Sequence, residues 1–371
     1  MAGSGTAHLR DDPNVILRVT DMVVEFPVGR GQVVHAVSEV SFDLAEGETL
    51  GIVGESGCGK STTARAVIQL PKPKSGEVLF RGADLAKLNS SEMRRVRPEL
   101  QMIFQDPISS LNPRRTVREI ISEGLRVWGG GSEDKGSWSE SRITEIMEAV
   151  GIDPRFGERK PHQFSGGQCQ RISVARALVL DPKVIICDEP VSALDVSVQA
   201  QLLNLLEDMK ERYGLTLMFI SHDLSVVKNI SDRVMVMYMG KVCEVGGSDE
   251  LFAAPAHPYT RALLAAIPGI EGAVGAEEID GDMPSAITPP TGCRFKTRCP
   301  YADSACDVEP EVQEVRAGQF VACHHPVLDS PAEASEISVD VGDGVADKMA
   351  PEVSAAPVVD SVDSSAFEAL Q

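Results

Sequence analysis

The chain has 371 residues, long enough for one large domain or two modest ones, and a formal net charge of −20 at pH 7. Such an acidic balance argues against a nucleic-acid-binding surface. No run reaches the roughly 18 apolar residues of a membrane span, and residues 1–14 lack the apolar core of a signal peptide. We therefore expect a cytosolic chain that meets a membrane only through a partner.

The N-terminal part is predicted to be β-rich and to lead into a glycine loop. Residues 15–26 and 33–44 are predicted strands, and ETLGIVG at 48–54 is a short apolar strand that continues into GESGCGKST. A helix is expected to begin near Lys60 and to stop before Pro71.

The glycine loop at 54–62 fits the pattern G-x-x-x-x-G-K-[ST] in full. Its glycines allow backbone N–H groups to turn onto phosphates, and the following helix adds the positive end of its dipole. Lys60 is expected to reach the β- and γ-phosphates, and the Ser61 hydroxyl to bind Mg²⁺. The candidate nucleotide-binding residues here are Gly54, Glu55, Ser56, Gly57, Cys58, Gly59, Lys60, Ser61 and Thr62.

The next segment changes from strand to helix. LQMIFQ at 100–105 is a predicted buried strand ending in Gln105, whose amide could sense Mg²⁺ and the γ-phosphate. TVREIISEGLRVW and SRITEIMEAVGI then follow a helical pattern, separated by GGGSEDKGS, which we predict to be a flexible loop.

A second anion-binding element follows at 165–168. Ser165-Gly166-Gly167-Gln168 is predicted to open a helix to about Leu180, with Ser165 as its N-cap. Because the loop at Gly54 already surrounds the phosphates within this chain, we expect this element to serve the ATP of another chain.

Two further strands end in polar residues. VIICDEP places Asp188, a candidate Mg²⁺ ligand, and Glu189, a candidate general base, at the carboxyl end of a strand. LTLMFISH ends in His222, expected beside Glu189 and the γ-phosphate. An amphipathic helix ended by Gly214 and a hairpin at 233–246 complete a pattern that predicts a mostly parallel sheet with helices on both faces.

In this order the elements resemble the ABC transporter ATPase family over roughly 15–246. The resemblance implies an α/β fold: a P-loop ATPase domain (15–254) with a RecA-like core, an antiparallel β subdomain and a helical signature subdomain (about 106–175). It implies that Ser165 and Gly167 contact the γ-phosphate held by the opposite subunit. It also makes SALD at 192–195, ending in Asp195, the loop that communicates across the dimer, and Phe26 the adenine-stacking residue.

Longer segments are similar to the oligopeptide/dipeptide importer ATPases, among them FQDPISSLNPRRTV and HPYTRALLAAIP, and FSGGQCQR resembles the F-type subunit. The resemblance implies ATP hydrolysis that powers peptide import. It implies as partners a paralogous ATPase in a heterodimer, two transmembrane permease subunits and an extracytoplasmic peptide-binding protein. The chain would then lie at the cytoplasmic face of the membrane. A nickel chelate or glutathione stays open as cargo.

A C-terminal extension at 255–328 contains four cysteines spaced C-x5-C-x6-C-x16-C: Cys293, Cys299, Cys306 and Cys323. The paired C-x2-C of common zinc sites is missing, and four thiolates can also hold an iron–sulfur cluster. The resemblance implies a [4Fe–4S] cluster, as in some peptide-importer ATPases. Zinc, a mixed site with His324 or His325, and metal-free packing remain open.

Other classes fit less well. A soluble ABC ATPase of DNA repair needs long coiled-coil insertions, but only about 105 residues separate Lys60 from Ser165. A translation-associated ABC protein needs two cassettes, and the sequence has no repeat. An assembly factor for iron–sulfur proteins would explain the cysteines, but not HPYTRALLAAIP. Residues 1–14 and the acidic 329–371 are predicted to be flexible, the latter a solvated tail without a binding role.

Overall fold

The computed structural model describes residues 5–29, 31–128, 135–192, 194–266 and 281–328. The acidic tail predicted at 329–371 lies outside these residues, as does most of the loop predicted at GGGSEDKGS.

Twelve strands are described within these ranges. In chain order they are β1 Val15–Gly29, β2 Gln32–Ala45, β3 Thr49–Val53, β4 Ser75–Phe80, β5 Ala83–Asp84, β6 Leu100–Ile103, β7 Val184–Asp188, β8 Thr216–Ile220, β9 Arg233–Tyr238, β10 Lys241–Gly247, β11 Val312–Arg316 and β12 Gln319–Ala322.

The α-helices of the described residues alternate with these strands. They are α1 Lys60–Val67, α2 Ser90–Val96, α3 Pro107–Ser110, α4 Val117–Trp128, α5 Lys135–Ala149, α6 Gly166–Leu178, α7 Val196–Tyr213, α8 Leu224–Ile230, α9 Ser248–Ala253 and α10 Pro258–Ala265. None of these helices combines the length and apolar character needed to cross a bilayer.

The strands form two sheets, which confirms the predicted architecture. The smaller is antiparallel, in the order β2-β1-β4-β5, and is the expected β subdomain. The larger has the order β11-β12-β10-β9-β3-β8-β7-β6, with parallel pairing from β9 to β6. Its antiparallel edge begins with the predicted hairpin β9–β10 and continues into β12 and β11, which were not predicted.

The central strands β3, β7 and β8 are buried on both faces of the large sheet, because each is a nearly continuous apolar run. In β7, Ile185 and Cys187 pack into a core shared with α4 to α8, while Val184 and Ile186 pack into a core shared with α1 and the small sheet. Side chains that alternate along a strand point to opposite faces, so one apolar run supplies both cores.

The helical part differs from expectation at one boundary. Helix α5 begins at Lys135, inside the segment predicted to be a loop.

The C-terminal extension completes the main sheet. Strand β12 pairs with β10, and Gln319 Nε2 donates to the carboxylate of Glu244 at 2.7 Å. Glu244 is fully buried and also accepts from the backbone N–H groups of Ala256 and His257, while burial raises its pKa. The extension therefore supplies both a strand and a partner for a buried carboxyl group.

A buried group of ion pairs joins the small sheet to the large sheet. Asp43 of β2 is fully buried and accepts from Arg233 Nη1 at the start of β9 (2.9 Å) and from Arg10 Nε (2.9 Å). The segment before β1 was predicted to be flexible, but Arg10 and the buried His8 hold down its described part. Sequence patterns missed this because the anchor is a charged group rather than an apolar run.

Asp43→Asn should lower the free energy of unfolding by about 3 kcal/mol, because two largely buried guanidinium groups then share the Glu48 carboxylate where two carboxylates had paired with them. Burial pushes the pKa of Asp43 up, but hydrogen bonds from Arg10 and Arg233 outweigh it and hold this pKa below its ordinary value. The stabilisation is therefore fully present above about pH 4 and lost as the pH falls through the lower folded pKa. Chemical denaturation at pH 7 and pH 3 measures both effects.

The matched control is Asp153→Asn, which removes a carboxylate paired with an Arg155 side chain that is 85% exposed. It should leave the stability at pH 7 close to that of the wild type, because water screens this exposed pair. Equal effects of the two substitutions would contradict the role given to Asp43.

Candidate active site

The glycine loop connects β3 to α1. It packs tightly against β9, the neighbour of β3 in the large sheet, and against β2 of the small sheet. A Cβ atom on Gly54, whose φ is +147°, would lie 2.1 Å from the Met237 carbonyl oxygen. On Gly59, with φ +104°, it would lie 2.3 Å from the Ala36 carbonyl oxygen. Only glycine fits at both ends of the loop, and this close packing fixes the curve of its backbone.

Lys60 is held inside this curve. Its side chain is buried, and Nζ donates to the carbonyl oxygens of Gly54 (2.7 Å) and Glu55 (2.9 Å). A buried ammonium group needs such acceptors. A phosphate that enters the loop competes for the same ammonium group and offers a full negative charge in place of carbonyl dipoles.

Four neighbouring strands deliver the predicted polar residues to one edge of the sheet. Because β3, β8, β7 and β6 are adjacent and parallel, their carboxyl ends lie side by side, and the glycine loop, His222, Glu189 and Gln105 follow them in that order. This edge is where open α/β sheets bind ligands.

Asp188 and Ser61 lie together as the magnesium prediction requires. Ser61 Oγ donates to Asp188 Oδ1 at 2.6 Å, and Arg65 Nη2 donates to Oδ2 at 3.3 Å. Asp188 is fully buried. A hydroxyl and a carboxylate at the start of α1 provide oxygen ligands of the kind Mg²⁺ prefers.

The Glu189 carboxylate contacts two of the other predicted site residues, Gln105 and His222. Gln105 Nε2 donates to Glu189 Oε2 at 2.9 Å, and His222 Nδ1 lies 3.2 Å from the same oxygen. The Glu189 backbone has a φ of +47°, an uncommon conformation for a side-chain-bearing residue, and its N–H donates to the Ile220 carbonyl. This turn places Glu189 on the lining of the cleft described below.

These residues line a cleft of about 690 Å³, a size that suits a nucleotide. Phe26, Val34, Ala36 and Ala286 form its apolar side. Of the predicted loop residues, Ser56, Gly57, Gly59, Lys60, Ser61 and Thr62 line the cleft, whereas Gly54, Glu55 and Cys58 do not. The side chain of Glu55 instead contacts Arg298.

The element at 165–168 forms the predicted helix start but lies away from this cleft. Ser165 Oγ accepts from Gln168 N–H at 3.3 Å, and Gln168 Oε1 accepts from Ser165 N–H at 3.0 Å, which is a capping box at the start of α6. Ser165, Gly166 and Gln168 are exposed. Neither these residues with Gly167, nor Asp195 at the N-cap of α7, line the cleft of this chain.

The four cysteines of the extension lie in one group as free thiols. The backbone N–H of Cys293 donates to the Cys306 carbonyl at 2.9 Å, and Cys323 follows β12 directly. Burial, with the nearby thiols of Cys293 and Cys306, raises the pKa of Cys299 to about 11. Burial, with all three other thiols, raises that of Cys323 to about 12.

Sequence reasoning missed three residues that lie at the cleft or contact the glycine loop. Ala286 lines the apolar side and accepts a hydrogen bond from His35 N–H, Tyr259 Oη accepts from Glu55 N–H, and Arg298 contacts Glu55. All three belong to the C-terminal extension, and no local pattern links them to a loop more than 200 residues earlier.

Comparison with known proteins gives consistent matches. Residues 37–192 match the ABC transporter family, and residues 243–306 match the oligopeptide/dipeptide transporter C-terminal region. The chain is 50% identical to the oligopeptide transport ATP-binding protein AppF of Bacillus subtilis, over 83% of this chain and 97% of that protein. It is 49% identical to the oligopeptide transport ATP-binding protein OppF of Salmonella typhimurium, over 83% and 96%.

Solved structures agree on the fold. The ATP-binding cassette MJ0796, solved as a dimer in a post-hydrolysis state with ADP and Pi, has a TM-score of 0.57 and 29% identity, covering 62% of this chain and 98% of that chain. The cassette cbiO1 of Clostridium perfringens, part of the cbiONQ transporter, has a TM-score of 0.57 and 30% identity, covering 65% and 91%.

Proposed function

The chain belongs to the ATP-binding subunits of the oligopeptide ABC transporters, and we propose that it binds Mg²⁺-ATP and hydrolyses it to power peptide import through a membrane permease. The observation that carries this function is the alignment of Lys60, His222, Glu189 and Gln105 at the carboxyl ends of four adjacent strands. Two similar proteins are named oligopeptide transport ATP-binding proteins. These names favour a peptide over a nickel chelate or glutathione as the cargo of this chain.

Each residue has a proposed role in this reaction. Lys60 leaves its carbonyl acceptors to bind the β- and γ-phosphates, and Ser61, Asp188 and Gln105 would hold Mg²⁺, which would offset the negative charge of the phosphates. Glu189 takes a proton from the attacking water, and His222 orients that carboxylate and the γ-phosphate. Phe26 stacks on adenine from the apolar side of the cleft.

The proposed active unit is a dimer, preferably with a paralogous ATPase. Ser165, Gly166, Gly167 and Gln168 lie at an exposed helix start away from the cleft of their own chain, which suits a contact with the ATP of a facing subunit. Asp195, at the N-cap of α7, would lie at the same subunit boundary.

The proposed permease contact is an apolar groove of about 360 Å³ between the parallel sheet and α4. Its walls include Leu70, Phe104, Val127 and Trp128, three of them exposed large apolar side chains. The Nε1 of Trp128 is buried and has no hydrogen-bond partner in the described part of the chain, so a docked helix could offer it an acceptor. Through this contact the chain would be held at the cytoplasmic face of the membrane, with a peptide-binding protein on the other side.

A [4Fe–4S] cluster is the proposed ligand of Cys293, Cys299, Cys306 and Cys323. A single zinc ion would hold its sulfur ligands about 3.8 Å apart. Among the described residues, the potential metal ligands whose atoms all lie within 4.8 Å of one another are those of Asp303, Cys306 and His325, and no three of the four cysteines are that close. A four-iron cluster accepts a wider spacing because each thiolate binds its own iron atom. The proposed role is structural, since the bound cluster adds to the folding free energy of the extension.

Glu189→Gln should preserve ATP binding and lower kcat by about 100-fold or more, because the base is lost while the phosphate contacts remain. Hydrolysis is measured with Mg²⁺, with and without the paralogous ATPase, which should raise the wild-type rate. Glu207→Gln, an exposed carboxylate on α7, is the control and should hydrolyse at the wild-type rate. Undiminished turnover by Glu189→Gln would contradict the assignment.

Val127→Asp should abolish co-purification with the permease subunits, because it places a charge in an apolar groove. Val127→Ile keeps the groove apolar and should co-purify as the wild type does. Both variants should keep their thermal stability, since 43% of the Val127 side chain is exposed. Retention of Val127→Asp on permease-containing membranes would argue against this docking site.

Protein purified without oxygen should be brown and contain about four iron and four sulfide per chain. Cys299→Ser should lose iron and melt at a lower temperature, whereas Cys169→Ser, at a buried thiol in α6 outside the group, should keep its iron. Stoichiometric zinc without iron would overturn the cluster, and the absence of any metal would favour packing cysteines.

A further inference from the structure

An arginine of the C-terminal extension forms an ion pair with the phosphate loop. Arg298 Nη1 donates to both carboxylate oxygens of Glu55, each at 3.0 Å, and to Tyr238 Oη at 3.3 Å. Only 9% of the Arg298 side chain is exposed. This ion pair joins residues 243 positions apart in the chain.

Glu55 is held at three points, and two of them come from the extension. Its side chain binds Arg298, and its backbone N–H donates to Tyr259 Oη at 2.8 Å. Its backbone carbonyl accepts from Lys60 Nζ at 2.9 Å. The position of Arg298 is therefore transmitted to Lys60 through one residue of the loop.

The arginine is itself fixed by a packed aromatic cluster. The rings of Tyr238, Tyr259 and Phe295 have centroids 4.8 to 5.3 Å apart, and Arg298 Cζ lies 5.8 Å from the Tyr238 ring centroid. Both tyrosines are fully buried, and Phe295 is nearly so. Such packing restricts the rotamers of Arg298 and makes the ion pair a rigid contact rather than a fluctuating surface pair.

We propose that Arg298 is a positioning residue for the ATP site: it fixes Glu55, and through it the loop carbonyls and Lys60, in the conformation that receives the phosphates. The inference rests on the proposed ATP site and adds the C-terminal extension to it. The contact acts on nucleotide binding, because it joins Arg298 to the glycine loop, whereas Gln105, Glu189 and His222 follow other strands and contact one another.

Arg298→Gln should raise the Kd for N-methylanthraniloyl-ATP and the KM for ATP roughly tenfold, the size of one lost charge-assisted contact. The kcat at saturating ATP should stay within about twofold, because the hydrolytic residues keep their contacts. Arg298→Lys retains a cation at this position and should recover most of the affinity. Lys296→Gln, which breaks an ion pair with an Asp307 that is 71% exposed, is the control and should bind as the wild type does.

A double-mutant cycle with Glu55→Gln separates positioning from general loss of structure. Glu55→Gln keeps every residue of the extension, so its circular dichroism spectrum should match that of the wild type while nucleotide binding weakens as in Arg298→Gln. The double variant should bind no more weakly than either single variant, because both remove the same contact.

The binding measurements can contradict either the proposed ATP-binding function or the positioning role of Arg298, and the results that do so differ. A wild-type chain that binds no N-methylanthraniloyl-ATP contradicts the proposed function itself. If the wild-type chain binds it, the positioning role alone is overturned by Arg298→Gln and Glu55→Gln variants that bind it as tightly as the wild type. It is also overturned if the effects of the two substitutions simply add in the double variant. If Arg298→Gln fails to fold, Glu55→Gln and Arg298→Lys still decide between these outcomes.

Discussion

The parallel pairing of β3, β8, β7 and β6 is the constraint on which the site depends. Parallel strands in register bring their carboxyl ends to one edge. The residue that follows each strand is then within a few ångströms of its neighbours, although the residues are far apart in the sequence. The contacts of Gln105 and His222 with one oxygen of Glu189 follow from this pairing. The buried apolar runs of the strands therefore provide both the core and the alignment of the polar groups.

Much of this arrangement was predictable because the signals are local. The glycine loop, the capping box at Ser165 and the apolar runs before Asp188 and His222 each occupy fewer than about ten residues and have a direct structural meaning. Once each polar residue is placed at a strand end, the parallel topology alone predicts that they meet. The fold class was confirmed for this reason, and His222 Nδ1 lies 3.2 Å from Glu189 Oε2.

The contacts that were missed are long-range and depend on tertiary packing. Nothing in the sequence near Arg298 indicates that it faces Glu55, and the strands β11 and β12 have neither a strong apolar alternation nor a clear turn signal. The anchoring of Arg10 on Asp43 was missed for a similar reason, since a buried ion pair has no periodic signature. In each case the partner is selected by the assembled sheet and not by the neighbouring sequence.

The pairing of β12 with β10 has a consequence for chains that end early. Without the extension, β10 would become the outermost strand, and its unpaired N–H and C=O groups could template the addition of a strand from another molecule. Glu244 would also lose the Gln319 amide and remain a buried carboxyl group with fewer donors. A prematurely terminated chain would thus have an unpaired edge strand and a less stable core. We expect such a chain to self-associate or to be degraded by proteases, and not to act as a smaller ATPase.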